Sequence, residues 1–193
     1  MRCRVFVIYA TGDEGGAKDL RDALSRLENI KICNPERIQE DLRKPVRKIK
    51  DGLGSSHLVI ALMTFNSTNT MWLNQEIGYA CAKNIPIISV VEKGIEVQGF
   101  LEGQRHIVFQ RGDFRLNIFQ IISQMRKILS RRKFTMTHFK VACPTCHKKY
   151  SKLLPSQKKM DAMIRHGQKL THQCKFCSAT LCTDPFNLYT RKS

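Results

Sequence analysis

Two groups of residues in this chain have the types and spacing to do chemistry. The first surrounds Glu76. Leu58 to Thr64 is a nearly unbroken apolar run of strand length, the pattern of a strand buried on both faces of a parallel sheet. It gives way to Asn66, Ser67, Thr68, Asn69 and Thr70, residue types that form turns and cap helices. The helical pattern that follows sets Trp72, Glu76, Tyr79 or Ala80, and Lys83 along one face. Glu76 thus falls in the first or second turn of a helix that starts at the C-terminal end of a buried strand. Open α/β sheets bind their ligands at that edge, and a carboxylate there can face a developing positive charge. The plainer reading is an exposed glutamate favoured by the helix dipole.

The second group is Cys143, Cys146, Cys174 and Cys177, which form C-x2-C-x27-C-x2-C. Two such knuckles supply four thiolates for a tetrahedral zinc, with iron or a redox pair as alternatives. Four thiolates leave no open position for water, so the expected zinc is structural. Cys182 and His147 are competing spare ligands. Cys3, Cys33 and Cys81 fall in or beside core elements and read as buried thiols.

Composition bounds what can hold these groups. The chain has 193 residues, room for one ordinary domain and a small module, and 42% of it is apolar, enough for a real core. No apolar run approaches ~20 residues, so no membrane span is expected. The opening MRCRVFVIYA has too short an apolar run for a signal peptide and reads as a first strand, which makes the expected location cytoplasmic. There, eight cysteines argue for thiols and metal rather than disulfides. The net charge of +17 is uneven, because residues 131–193 hold 14 Lys/Arg against Asp161 and Asp184, a net +12. The break at Ser130-Arg131-Arg132-Lys133 divides the chain into residues 1–132, a basic linker 133–139, and a module 140–193.

In order, the patterns predict a strand over Arg4–Ala10, a helix over 16–28, a short strand Ile30–Cys33, and a helix from about Asp41 with Pro45 in its first turn, closed by Gly52 and Gly54. Then come the strand at Leu58, the Glu76 helix, a strand Ile85–Val91, a glycine-punctuated loop to a short strand Ile107–Gln110, and a helix with Ile118, Ile122, Met125 and Leu129 inward. Five strands alternating with helices give a parallel, flavodoxin-like sheet with helices on both faces. TGDEGG after the first strand has the wrong spacing for a dinucleotide fingerprint, and there is no Walker sequence or nucleophile elbow. In the cysteine module, Ser156, the stripe Met160, Met163 and Ile164, and Gly167 predict a short helix.

VFVIYATGDEGGAKDLRDAL resembles the opening strand and helix of Toll/interleukin-1 receptor (TIR) domains. GLGSSHLVIALMTFNSTNTMWLNQEIGYACAKNIPIISV resembles that family's longest shared stretch, with Ser67, Trp72 and Glu76 as its core. The likeness runs from Arg4 to about Arg132 and is greatest to prokaryotic members. It implies that Glu76 cleaves the nicotinamide–ribose bond of NAD, in a role in defence or signalling. Nicotinamide leaves as a neutral base, so no general acid is needed. One carboxylate facing the oxocarbenium-like ribose suffices. Tyr9, Ala10 and Thr11, Phe65 and Ser67, and Trp72 are assigned to the ligand pocket, with Thr68 equal to Ser67. Tyr9 and Phe65 read alternatively as core aromatics and Trp72 as a packing residue. The loop Asn34–Glu40 sits where the family has a mobile segment. Many TIR domains are scaffolds without turnover, so a self-assembling adaptor is the rival reading.

The resemblance also implies self-association. The basic ribbon, with Phe134, Phe139, Tyr150, Phe176, Phe186 and Tyr189 among its charges, is a candidate for nucleic acid; a solvated face or a dock for an acidic protein are the alternatives. A long polyanion would gather several chains and favour TIR–TIR contacts.

Overall fold

A computed structural model describes residues 2–33, 43–67, 70–111 and 114–193. Contacts divide the chain into two compact units, Met1–Arg21 with Ile30–Phe114, and Asp22–Asn29 with Arg115–Ser193.

The first unit is built on β1 (Cys3–Ile8), β2 (Ile30–Ile32), β3 (Leu58–Met63), β4 (Ile87–Glu92) and β5 (Ile107–Phe109). They pair in parallel in the order β2-β1-β3-β4-β5, as the alternation of strands and helices predicts. All six residues of β3 are buried, because the central strand is covered on both faces. β1 ends two residues earlier than its apolar run, so Tyr9 and Ala10 lie in the loop that follows it.

Helices α1 (Glu14–Ser25), α2 (Arg43–Gly54) and α3 (Met71–Ala82) connect the strands, with a single 3₁₀ turn at Gly99–Leu101 in the long β4–β5 loop. Alternate strand residues serve opposite faces. Phe6, Ile8, Val59, Ala61 and Val91 pack with Ile49 and Leu53 of α2 and Leu73, Ile77 and Ala80 of α3. On the other face, Gly16 of α1 lies against Leu62, where an added Cβ would be 3.6 Å from Cδ2. Gly52 does not end α2, as its type suggests, but sits inside it. A Cβ there would stand 2.9 Å from the Phe6 ring and 3.1 Å from the Cys33 carbonyl, so glycine lets the helix approach the sheet. The predicted start of α2 at Asp41 and the loop Asn34–Glu40 lie outside the described residues.

The second unit contains α4 (Phe114–Arg131) from Arg115 onward, the hairpin of β6 (His138–Ala142) and β7 (Lys149–Leu153), α5 (Gln157–Arg165), and an antiparallel sheet β8 (Leu170–Gln173), β9 (Thr180–Thr183) and β10 (Thr190–Lys192). α5 is the helix expected between the cysteine pairs. Ser156 caps it by accepting from the Lys159 amide, Met160 and Met163 face inward, and Gly167 follows with φ +61°. Among the described residues, no helix is long and apolar enough to cross a membrane.

Candidate active site and metal centre

In the sheet order, β1 and β3 are neighbours whose connections leave in opposite directions. The crevice beyond their C-terminal ends is where such sheets take ligands. The chain leaving β3 is held by short polar contacts. Ser67 Oγ accepts from the Thr64 amide (2.8 Å) and donates to the Thr64 carbonyl (2.7 Å), while Thr70 Oγ1 donates to the Ser67 carbonyl (3.0 Å). The donor and one of the two acceptor positions of the Ser67 hydroxyl are therefore used in closing this turn. Thr64 Oγ1 donates to Asp13 Oδ2 (2.5 Å) and Asn66 Nδ2 to Asp13 Oδ1 (2.9 Å), so the buried Asp13 ties the β1 loop to the end of β3. Gly12 makes this closeness possible, for its φ is +94° and a Cβ would sit 2.9 Å from Asn66 Nδ2.

Glu76 is 4% exposed, which overturns the surface-glutamate reading. It shares the inward face of α3 with Leu73, Ile77 and Ala80. Trp72, one turn earlier and 36% exposed, donates from Nε1 to Glu76 Oε1 at 2.8 Å. A hydrogen bond of that length favours one rotamer of the Glu76 side chain.

A cavity of about 300 Å³ lies among the end of β3, the first turn of α3 and the β4–β5 loop. Phe65 and Ser67 from the end of β3, Leu73 and Asn74 from α3, and Gly94, Ile95, Glu96 and Gln98 from the β4–β5 loop line it, with Met63. Phe65 is 55% exposed, so it is not a core aromatic. Its ring passes over Gly94, where φ is +98° and a Cβ would stand 3.3 Å away. Tyr9 and Ala10 are buried, with the Arg21 guanidinium 5.8 Å from the centre of the Tyr9 ring, and Thr11 is exposed. None of these three lies in the cavity wall, nor do Trp72 and Glu76. Of the expected pocket residues, the structure gathers Phe65 and Ser67, pairs Trp72 with Glu76, and leaves Tyr9, Ala10 and Thr11 on the β1 side. Thr68 lies outside the described residues.

Sequence reasoning missed Glu92. Buried as the last residue of β4, it accepts from the Phe65 amide (3.1 Å) and takes a two-point contact from Arg111, Nε to Oε1 at 3.0 Å and Nη2 to Oε2 at 3.2 Å. A carboxylate closing the apolar run Ile87–Val91 was its only signal.

The family model described as "Thoeris protein ThsB, TIR-like domain" matches residues 6–96. Among solved structures, the TIR domain of the Toll-related receptor TRR-2 of Hydra magnipapillata aligns with a TM-score of 0.50 at 20% identity, over 65% of this chain and 97% of that one. The first unit has the TIR fold. Weaker likenesses are to the Clostridium botulinum CMP N-glycosidase BcmB (TM-score 0.46, 17% identity, 62% of this chain and 98% of that one) and to elongation factor SelB of Methanococcus maripaludis (0.47, 14%, 72% and 37%). No curated protein matches the sequence. The ThsB match spans the TIR strands β1 to β4, including Glu76, Trp72 and Asp13, and stops before Cys143.

Beyond the TIR match, Cys143, Cys146, Cys174 and Cys177 converge, with all four Sγ within 4.8 Å of one another. The Cys143–Cys177 and Cys146–Cys174 sulfurs are each 3.7 Å apart. A tetrahedron with metal–sulfur bonds of about 2.3 Å has sulfurs about 3.8 Å apart, so the cluster could hold a metal ion with little movement. The two knuckles are congruent. In each, the amide of the fifth residue bonds the first cysteine's carbonyl (His147 to Cys143, 2.9 Å; Ser178 to Cys174, 3.1 Å), and that fifth residue has positive φ. The Cys146 amide, helped by that of Thr145, holds the Cys143 thiol down at about 6 against the opposing effect of burial. Cys182, in β9, and His147 lie outside the cluster.

A third turn repeats this geometry without cysteine. The Asp184 amide bonds the Tyr189 carbonyl and the Leu188 amide bonds the Asp184 carbonyl, both at 2.9 Å, and Leu188 has φ +59°. Asp184 and Asn187 take the cysteine positions. Their side chains accept from the Phe186 and Tyr189 amides, each at 2.8 Å.

Proposed function

We propose that the TIR unit cleaves the nicotinamide–ribose bond of NAD and that Glu76 is the acting carboxylate. The observation that carries this reading is the buried Glu76, held by the Trp72 indole at the ligand-binding edge of the sheet. Burying a carboxylate is costly, and a core helix position could hold an apolar residue instead. The residues that resemble the TIR family's shared stretch are the ones at this position.

The chemistry asks little more of the chain. Nicotinamide departs as a neutral base, so the work is to orient the ribose and to face its developing positive charge with a carboxylate. Glu76 accepts hydrogen bonds from the ribose hydroxyls and supplies that charge. Phe65 offers a flat apolar wall and Asn74 a polar contact from the first turn of α3. The cavity is at the small end of ligand sites, which run roughly 300–1,000 Å³. It takes one end of a dinucleotide, and a neighbouring copy of the chain completes the site by self-association. The indole must release Glu76 for the carboxylate to reach the cavity. The four cysteines hold a structural zinc that folds the C-terminal module, and residues 1–132 and 140–193 act as TIR domain and zinc ribbon.

A second reading, a TIR assembly module without turnover, is favoured by the position of Glu76 outside the cavity wall. Nicotinamide release from NAD separates the two. The enzyme reading expects turnover by the zinc-loaded chain and none by Glu76→Gln, while the assembly reading expects none from either.

A further inference from the structure

The second unit contains a cleft of about 310 Å³ that the chemistry proposed for Glu76 does not use. Arg26, Lys140 and Lys149 give it positive charge, and Leu188, Tyr189 and Thr190 form its other side. The polar contacts of Lys140 and Arg26 go to backbone carbonyls. Lys140 Nζ donates to Ser25 O (3.0 Å) and Arg26 Nη1 to Asn187 O (3.3 Å). Among the described residues, no carboxylate forms an ion pair with any of the three. Their charge therefore remains available to an anion.

Tyr189 makes the cleft more than a basic surface. Its side chain is 55% exposed, and the Arg26 guanidinium lies 5.5 Å from its ring centre. Its backbone is fixed at the end of the cysteine-free turn, amide to Asn187 Oδ1 and carbonyl to the Asp184 amide. The ring is thus carried on a braced backbone turn.

We propose that this cleft binds single-stranded nucleic acid, with one base against Tyr189 and the flanking phosphates on Arg26, Lys140 and Lys149. An exposed aromatic inside a basic concavity is the arrangement that holds an unpaired base together with its backbone. A duplex keeps its bases stacked internally and would meet only the charge. The segment 131–193, at a net +12, supplies the wider attractive field.

The test is fluorescence anisotropy of the full-length, zinc-loaded chain with a labelled oligothymidylate and with a duplex of equal length, at several salt concentrations. Tyr189→Ala should weaken oligothymidylate binding at least fivefold, and roughly up to a hundredfold, while Tyr189→Phe retains it and duplex binding stays unchanged. Lys140→Ala with Lys149→Ala should reduce the slope of log K against log salt by about 1.4 on the single strand. Lys158→Ala with Lys159→Ala, on exposed positions of α5, removes equal charge and should lower the affinity less. Zinc content and protease resistance report that each variant is folded. Equal losses from the two lysine pairs, an unaffected Tyr189→Ala, or tighter binding to duplex or to anionic vesicles would overturn the proposal.

Discussion

The indole nitrogen of Trp72 stands 2.8 Å from Oε1 of Glu76, one helical turn away, and this bond joins a half-exposed ring to a buried carboxylate. Trp72→Phe keeps an aromatic side chain, smaller than the indole, and deletes the donor. Hydrogen bonds to charged groups contribute about 1.5–3 kcal/mol, and the partial exposure of Trp72 places this one toward the lower end. Urea unfolding followed by circular dichroism should show a lower midpoint with an unchanged slope. An unaltered midpoint would mean that the indole does not hold the carboxylate.

Two glycines on different helices should respond in opposite directions. In Gly52→Ala the new Cβ meets the Phe6 ring at 2.9 Å and the Cys33 carbonyl at 3.1 Å. Overpacking costs about 1–3 kcal/mol, which exceeds the gain of under about 1 kcal/mol from alanine's helix propensity. Gly15, in the first turn of α1, has nothing within 4 Å of its Cβ position, so Gly15→Ala should stabilise by about 0.5 kcal/mol. Denaturant midpoints compare the two. A neutral Gly52→Ala would mean that α2 can move away from β1 at little cost.

A metal held by the cysteine cluster would tie its binding to folding. For a small thiolate site, the free energy of metal binding is largely folding free energy. Cys143→Ser or Cys174→Ser should abolish a metal content of about one zinc per chain and expose the β6–β9 region to protease, while β1–β5 stay resistant. A metal-free chain with a protease-resistant C-terminal region would contradict this.

Cys3 carries a pH dependence. Burial, and then the neighbouring Cys33 thiol, pushes its thiol from the ordinary 9.0 up to about 11. The folded state thus favours the neutral thiol, and that contribution is complete below pH 9 and lost as the pH rises toward 11. Thermal melts between pH 9 and 11 should show falling stability, with a shallower fall in Cys3→Ala. Cys33, also raised by burial, accounts for part of what remains.

Much of this was legible because it is local. The apolar run at Leu58 has the length and pattern of a strand buried on both faces, and the strand–helix alternation carried the parallel sheet. The two C-x2-C pairs announced their convergence, and Ser156, Met160, Met163 and Gly167 spelled out α5. The polar bracing of the site was not legible. Asp13 reaches Thr64 across 51 residues, and Glu92 reaches the Phe65 amide across 27, contacts that exist only once the strand order is fixed. The turn at Asp184 was overlooked because it lacks cysteine, although Asp-Pro-Phe-Asn keeps the spacing of Cys-Pro-Thr-Cys. Burial of Glu76 could not be read from helical phase alone, since Trp72 and Leu73 are adjacent in sequence and differ in exposure.

The most direct measurement is quantification of nicotinamide released from NAD by the purified, zinc-loaded chain over a range of protein concentrations, beside Glu76→Gln. The account predicts release by the wild-type chain that rises more steeply than protein concentration, because a neighbouring copy completes the site. It predicts none from Glu76→Gln at equal fold and zinc content. No release at any concentration, or equal release from Glu76→Gln, would contradict the assignment of Glu76 as the acting carboxylate.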